Sequence, residues 1–468
     1  MVKFKNLGLI FIAAGLLSIS FAPLSQWWAA PIAYAIYLKV LIGTEYKIRI
    51  SFLFAFVANA IILSWSKTFV GVTPWILLAI LQGLYLIPVG LLARYIQRPI
   101  VLVAGLLIMD EAKNYFPFGG FGWTRIAYSQ ADSPFLNLVS IFGVIALSLA
   151  TLVVSLLLLH PSRAHFAIVV FTLLIASFPF PDEAPSGSLK VRAIQGGVPE
   201  RGLAFNARAQ AVFDNHIDRT IKDFDSEDKL ILWPENAIDV DPTRNALVKS
   251  KLKELQSITK IPLLAGAILD GDNLLNTAIL FDSNGSPQST YVKRYLTPFG
   301  EYIPLRNIAE IISPHTDRVT DFAPGVDFVL HQVADFRVSS IICYEILSDN
   351  IFRESARNSG FITVLTNSAT FAGSAEGNQQ LNITRIRAVE SGKNILSVST
   401  TGPSAFINHR GEVLSRLDDG EVGSLASEVE VRNGETFATQ YGGVISYLAI
   451  FFSLALILIS VAQRRSRS

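Results

Sequence analysis

The sequence predicts a polytopic α-helical membrane domain of about eight transmembrane helices that carries one α/β domain, and three observations predict it. First, hydrophobic residues make up 51% of the 468 and charged residues only 16%, against a globular norm of ~25%, with a mean hydropathy of +0.42. A soluble protein of that size cannot hide so much apolar surface, so part of the chain must sit in lipid. Second, the apolar excess is confined to residues 1–180 and 442–468. Third, residues 181–441 alternate short β-branched runs with polar stretches of helical period.

Within the apolar part, candidate spans cover 7–23, 28–42, 50–66, 75–93, 100–109, 135–159, 164–180 and 444–461. The second and fifth are shorter than the ~20 residues that cross ~30 Å of hydrocarbon. Span 7–23 does not read as a cleaved signal peptide, because Phe21-Ala22-Pro23 lacks a small-x-small site and further spans follow at once. Trp27-Trp28 suit an interface belt. Basic residues fall on alternate loops: Lys3 and Lys5, then Lys39, Lys47 and Arg49, then Arg94 and Arg98, Arg163, and finally Arg464, Arg465 and Arg467. The other short loops carry only Lys67, Lys113 and Arg125. Positive charge stays on the cytoplasmic side. Both termini are therefore expected to be cytoplasmic, with residues 181–441 on the extracytoplasmic face of the membrane.

Residues 181–188, Pro-Asp-Glu-Ala-Pro-Ser-Gly-Ser, read as a linker. Beyond them strands are expected at 189–194, 230–233, 263–269, 277–281, 289–295, 338–343, 361–365, 394–399 and 405–408, with helices at 201–224, 243–255, 350–358 and 379–391. Roughly 260 residues of this kind suffice for one substantial core. The formal charge of +1 leaves no basic excess for nucleic acid. A single cysteine, Cys343, excludes intramolecular disulfides and cysteine-rich zinc sites.

Cys343 closes the apolar run Val338-Ser339-Ser340-Ile341-Ile342, at the end of an expected strand where α/β proteins place their sites. A lone cysteine is most often a buried core thiol. Here Tyr344-Glu345 follow directly, and an unpaired thiol in an outward-facing domain is an oxidation liability, so a catalytic thiol is favoured. A thiol nucleophile needs a base and a group that stabilises an oxyanion. His216, His315, His331 and His409 sit in no motif. Glu235 is the better base: it follows the apolar strand Leu230-Ile231-Leu232-Trp233 and Pro234, where burial would raise its pKa. Its other reading is a helix N-terminal acid before Asn236. Lys293, in Ser289-Thr290-Tyr291-Val292-Lys293-Arg294-Tyr295, taken singly reads as a solvated edge-strand lysine. The rigid turn that follows, Thr297-Pro298-Phe299-Gly300, carries another acid, Glu301.

Trp233-Pro234-Glu235-Asn236-Ala237, Tyr291–Tyr295 leading into Pro298-Phe299-Gly300-Glu301-Tyr302-Ile303-Pro304, and Ile342-Cys343-Tyr344-Glu345 resemble the catalytic segments of the nitrilase (carbon–nitrogen hydrolase) superfamily. With a multi-span membrane domain attached, the chain resembles the apolipoprotein N-acyltransferase family within it. Phe121-Gly122-Trp123, Tyr128-Ser129-Gln130 and Arg385-Ile386-Arg387-Ala388-Val389-Glu390 fit the same pattern. The resemblance implies a four-layer αββα sandwich. It implies Glu235 as general base, Lys293 as oxyanion stabiliser and Cys343 as nucleophile, with Glu301, Tyr344 and Glu345 in support and no metal or cofactor. The implied reaction moves an acyl chain from a membrane phospholipid, through a thioester on Cys343, to the α-amino group of a diacylated apolipoprotein. The sequence departs from the family pattern at Ser368, Thr370, Gln380 and Thr400-Thr401, which border the substrate path. Two rivals are a membrane-anchored amidase that uses the same three residues and a transporter with an extracytoplasmic binding domain. The near absence of ionisable residues within the spans argues against the transporter.

Overall fold

The computed structural model describes residues 4–68, 71–177, 184–199, 210–307 and 320–466. Lys3, Arg467, His315, residues 181–183 of the expected linker and residues 201–209 of the helix expected at 201–224 lie outside them. The chain divides into two units: Met1–Lys67, Gly71–Phe180 and Gln440–Ser468 form one, and Thr68–Val70 with Pro181–Thr439 the other.

The first unit is helical: α1 (Phe4–Ile19), α2 (Ala29–Gly43), α3 (Lys47–Ile62), α4 (Val72–Leu84), α5 (Ile87–Tyr95), α6 (Pro99–Ala112), α7 (Val139–Phe142), α8 (Ile145–Leu159) and α9 (Arg163–Ser177). Two expected spans are remade. The stretch 75–93 is two helices, broken just before Pro88, whose ring carries no N–H for the helix ladder. The stretch 135–159 becomes a 3-10 turn and α7, then α8 after Gly143, whose φ of +76° no helix accommodates. Taken across that break, Val72–Tyr95, 24 residues, and the C-terminal helix Phe437–Arg465, 29 residues, are long and apolar enough to cross a membrane. On that last helix Phe451, Phe452 and Leu458 are more than 60% exposed, apolar surface that suits hydrocarbon. Charge is nevertheless present at the end of α6. Asp110, Glu111, Lys113 and Arg125 are buried: Asp110 accepts from Ser148 Oγ at 2.7 Å and Ile126 N–H at 3.0 Å, and Arg125 pairs with Glu111.

In the second unit two six-stranded sheets face one another. The first has the order β12-β1-β2-β3-β4-β5, from β1 (Gly187–Gln195), β2 (Leu230–Ile238), β3 (Leu263–Asp270), β4 (Leu274–Phe281), β5 (Pro287–Val292) and β12 (Gly423–Val431). The second has the order β11-β10-β9-β8-β7-β6, from β6 (Leu330–Val333), β7 (Phe336–Ile342), β8 (Phe361–Thr366), β9 (Ile395–Ser399), β10 (Ser404–Ile407) and β11 (Val413–Leu417). Alternation along each strand sends one set of side chains between the sheets. Leu189, Val191, Leu232 and Leu280 there meet Val338, Phe361, Leu396 and Phe406. On the outer face of the first sheet, Trp233, Leu263 and Ile279 pack against α10 (Ala211–Asp223) and α11 (Ala246–Thr259) through Phe213, Val248 and Leu252. On the outer face of the second, α12 (Asp349–Asn358) packs on β7 and β8, and α13 (Glu376–Ser391) on β9 and β10. The layers are thus αββα. Among the described residues one further α-helix, α14, is Phe437–Arg465.

A buried guanidinium fastens the second sheet's helices to the turn that leaves β7. Arg387, on α13, donates to Ile346 O at 3.0 Å, Leu347 O at 3.2 Å, Asp349 Oδ1 at 2.6 Å and Glu390 Oε2 at 2.6 Å. Removing it strands two buried carboxylates. Arg387→Met is expected to cost about 3–5 kcal/mol of stability, read as a lower thermal midpoint by circular dichroism in detergent. An unchanged midpoint would show that these carboxylates find other partners.

Candidate active site

Each candidate residue stands where backbone pairing is interrupted. In β2 the register runs Trp233↔Ala265 and resumes at Ile238↔Ala267, so Pro234–Ala237 bulge opposite the single residue Gly266. Pro234 has no N–H to give the ladder, and Asn236 takes a φ of +56°. The bulge turns the buried Glu235 out of the strand. Gly266 is obligatory there, since a Cβ would lie 2.4 Å from Pro234 O and 2.5 Å from Glu235 Cα. Glu235 is therefore within β2, not past its end.

Lys293 moves the other way. The strand expected at 289–295 stops at Val292, because the Glu345 carboxylate captures the next backbone donors, Arg294 N–H at 2.7 Å and Tyr295 N–H at 3.1 Å. Lys293 is buried rather than a solvated edge residue. Its Nζ lies 2.7 Å from Glu301 Oε2 and 3.3 Å from Glu235 Oε1. The turn after it presents Glu301, which accepts Thr297 N–H at 2.8 Å. Asn276, on β4, donates its side-chain amide to Glu235 at 2.7 Å and Glu301 at 2.6 Å, and its backbone carbonyl accepts Lys293 N–H at 2.8 Å. Sequence reading passed over Asn276. Its only signal was one amide inside the apolar run Leu274–Phe281.

Cys343 leaves β7 with a φ of +49° and opens a 3-10 turn through Leu347. A non-glycine residue in that region holds a strained backbone, tolerated where the surroundings fix it. Glu345 fixes this one, bonding Ile342 N–H at 2.9 Å as well as Tyr291 OH at 2.8 Å. Tyr344 is buried and stacks on Tyr295 with ring centres 5.3 Å apart. Both residues after the cysteine are thus interior. His216 and His331 are buried, held neutral by pKa values pushed down to about 4 by desolvation, and serve other hydrogen bonds.

Charges in the cluster divide unequally. Burial raises Glu235, and the Lys293 cation only partly offsets it. Burial acts the same way on Glu301, but Lys293, Asn276 and Thr297 N–H together hold it below the ordinary carboxylate range. Desolvation opposes charge on Lys293, yet the carboxylates of Glu235 and Glu301 outweigh it and keep the ammonium protonated. The Cys343 thiol is raised by burial and by the Glu235 charge, with Lys293 pulling the other way. Such a site holds a neutral thiol, a carboxylate able to take its proton, and a fixed cation for developing negative charge.

An αββα sandwich carrying a glutamate, a lysine and a cysteine in this relation defines a carbon–nitrogen hydrolase domain, and residues 210–436 match the carbon-nitrogen hydrolase family model. Residues 13–157 match the apolipoprotein N-acyltransferase N-terminal domain. An apolipoprotein N-acyltransferase from Wigglesworthia glossinidia brevipalpis is 30% identical, the match covering 73% of this chain and 70% of that one. One from Mycolicibacterium smegmatis is 29% identical across 96% of this chain and 84% of its own. Among solved structures, an amidase from Nesterenkonia sp. superposes with a TM-score of 0.40 at 19% identity, over 53% of this chain and 93% of its own. The chain belongs to the apolipoprotein N-acyltransferase family.

Because Glu235 raises the thiol, Glu235→Gln is expected to lower the pH midpoint for iodoacetamide alkylation of Cys343. Peptide mapping across a pH series reads this directly. A midpoint that stays or rises would mean that Glu235 does not act on the thiol.

Proposed function

We propose that the chain is an acyltransferase that moves an acyl chain from a membrane phospholipid to the α-amino group of the diacylglyceryl-cysteine that begins an apolipoprotein. The observation that carries the proposal is the Lys293 ammonium, held 2.7 Å from Glu301 and 3.3 Å from Glu235, whose charge also acts on the Cys343 thiol. Glu235 takes the thiol proton as sulfur attacks the ester carbonyl. Lys293 faces the oxyanion, Glu235 returns that proton to the alkoxide of the departing lysophospholipid, and a thioester remains on Cys343 with Glu235 again ionised. The acceptor amine then attacks the thioester, and Glu235 receives a proton from it. Glu301, Tyr344 and Glu345 support this machinery by position: Glu301 anchors Lys293, Tyr344 stacks on the loop that follows it, and Glu345 ties that loop to the cysteine turn.

For the membrane part we infer eight transmembrane helices, residues 1–180 supplying seven and 442–468 the last, with 181–441 extracytoplasmic. The alternation of basic loops supports this orientation, and the apolar segments Val72–Tyr95 and Phe437–Arg465 support membrane crossing. Both substrates are then lipid-anchored on the side where the site stands.

In mixed phospholipid micelles, intact-mass spectrometry is expected to find an acyl adduct on Cys343 that disappears as an added diacylglyceryl-cysteine peptide gains an N-acyl chain. Cys343→Ala is expected to abolish both signals, a loss of at least about 10³-fold. An adduct that turns over equally fast without peptide would make the enzyme an amidase-like hydrolase, and N-acylation by Cys343→Ala would remove the thioester altogether.

A further inference from the structure

Glu376 opens α13 and is 4% exposed. Ser368 donates to its carboxylate, and among the described residues its Oε2 has no hydrogen-bond partner. Ser368 follows β8, whose Leu365 pairs with Ile342 beside Cys343, so Glu376 stands at the end of the second sheet that carries the thiol, and its charge is felt at both Cys343 and Glu235. The scheme above gives it no task.

A carboxylate taken out of water normally comes with a cation or a full set of donors. Glu376 has neither. The charged groups that act on it are acids, Glu235 and Asp419, and Lys293 is already committed to Glu235 and Glu301. The first-turn position on α13 favours an anion, but a helix terminus is weaker compensation than a paired charge. Burial and the neighbouring acids accordingly push Glu376 up to about 7. What is missing is a cationic donor, and of the two substrates proposed above only the acceptor brings one to the reacting end, as its α-ammonium.

We propose that Glu376 Oε2 is the subsite for the acceptor's primary ammonium, accepting one of its N–H bonds and taking one of its protons before attack. The inference rests on the acyl-transfer reading and goes beyond it by assigning the amine its own acid. An ammonium cannot attack while its nitrogen lone pair holds a proton. Transfer of one proton to Glu376 yields a neutral amine and a protonated Glu376. The nitrogen lone pair then forms the C–N bond to the thioester carbonyl carbon, and the C–S bond breaks. The second proton leaves the nitrogen for Glu235, and the Cys343 thiolate recovers its proton from Glu235. Glu376 returns its proton to solvent once the amide product departs. A primary ammonium near its own pKa of ~8 is well matched to such a carboxylate, so neither transfer is steeply uphill.

The test separates the half-reactions in the full-length enzyme. Phospholipid alone charges Cys343; a diacylglyceryl-cysteine peptide then discharges it; intact mass follows both. For Glu376→Gln the expected result is an acyl-enzyme that accumulates, with kcat/KM for the peptide down by about 10²-fold, a higher KM for the peptide, and partial recovery in Glu376→Asp. Discharge of Glu376→Gln at the wild-type rate would overturn the proposal, as would failure of either variant to charge with phospholipid while retaining the wild-type thermal midpoint. If Glu376→Gln does not fold, Glu376→Asp decides: a peptide-specific slowing supports the assignment, and none refutes it. Absence of charging in the wild-type enzyme is a different result, which would remove the acyl-transfer reading and this subsite with it.

Discussion

One buried ammonium organises the site. Lys293 is enclosed with two carboxylates, and no member of the trio could be charged there alone. The attraction is shared unequally. Glu301 sits 2.7 Å from Nζ and also receives Thr297 N–H, whereas Glu235 is 3.3 Å away and relies on Asn276. Glu301 is therefore the permanent anion that keeps the lysine charged, and Glu235 is left with the higher proton affinity. Two chemically identical side chains acquire different tasks from one asymmetry of donors, the way paired carboxylates are commonly driven apart in acid–base sites.

The same economy holds for the backbone. Lys293 and Cys343 lie on different sheets, and Glu345 joins them by taking backbone N–H groups from Ile342 on one side and from Arg294 and Tyr295 on the other. That capture ends β5 at Val292 and holds Cys343 at its positive φ in a single stroke. Arg387 then grips the carbonyls of Ile346 and Leu347, so the 3-10 turn is fixed from behind by α13. The strained backbone of Cys343 is retained because groups on three elements over-determine its position.

Much of this was legible in the chain. Apolar strands ending in an acid or a thiol marked Glu235 and Cys343, and β-branched runs located nine of the strands. The misses have physical causes. β6, β11 and β12 are short or half exposed, and β12 pairs with β1 across more than 200 residues, a partnership that no local pattern encodes. Pro88 and Gly143 were visible as breakers, yet uninterrupted apolarity around them hid the breaks. Lys293 looked like an edge residue because its burial depends on Glu301 and Glu235, groups brought near it only by folding. Asn276 and Glu376 were single polar residues without a motif. What distinguishes them is an amide shared between two carboxylates and a carboxylate oxygen without a donor, and both are properties of the assembled site.

The raised thiol bears on how one cysteine serves two substrates. A cysteine held as thiolate at rest would react with any oxidant or electrophile that reached it. In the proposed scheme Cys343 gives up its proton only as Glu235 accepts it, so nucleophilicity is coupled to the presence of an ester to attack. The cost falls on the second half-reaction, where a sulfur that prefers its proton is a reluctant leaving group. The cluster offsets this from both sides. Lys293 stabilises the departing thiolate, and the proton that Glu235 takes from the amine is the one that Cys343 then recovers. A low thiol pKa would ease departure and weaken the attack, whereas in the proposed scheme a raised one, paired with a raised carboxylate, lets Glu235 carry a proton away from Cys343 in the first half-reaction and a different one, from the amine, back to it in the second. The negative surroundings of the thiol are thus a condition for reversing its role midway through the reaction.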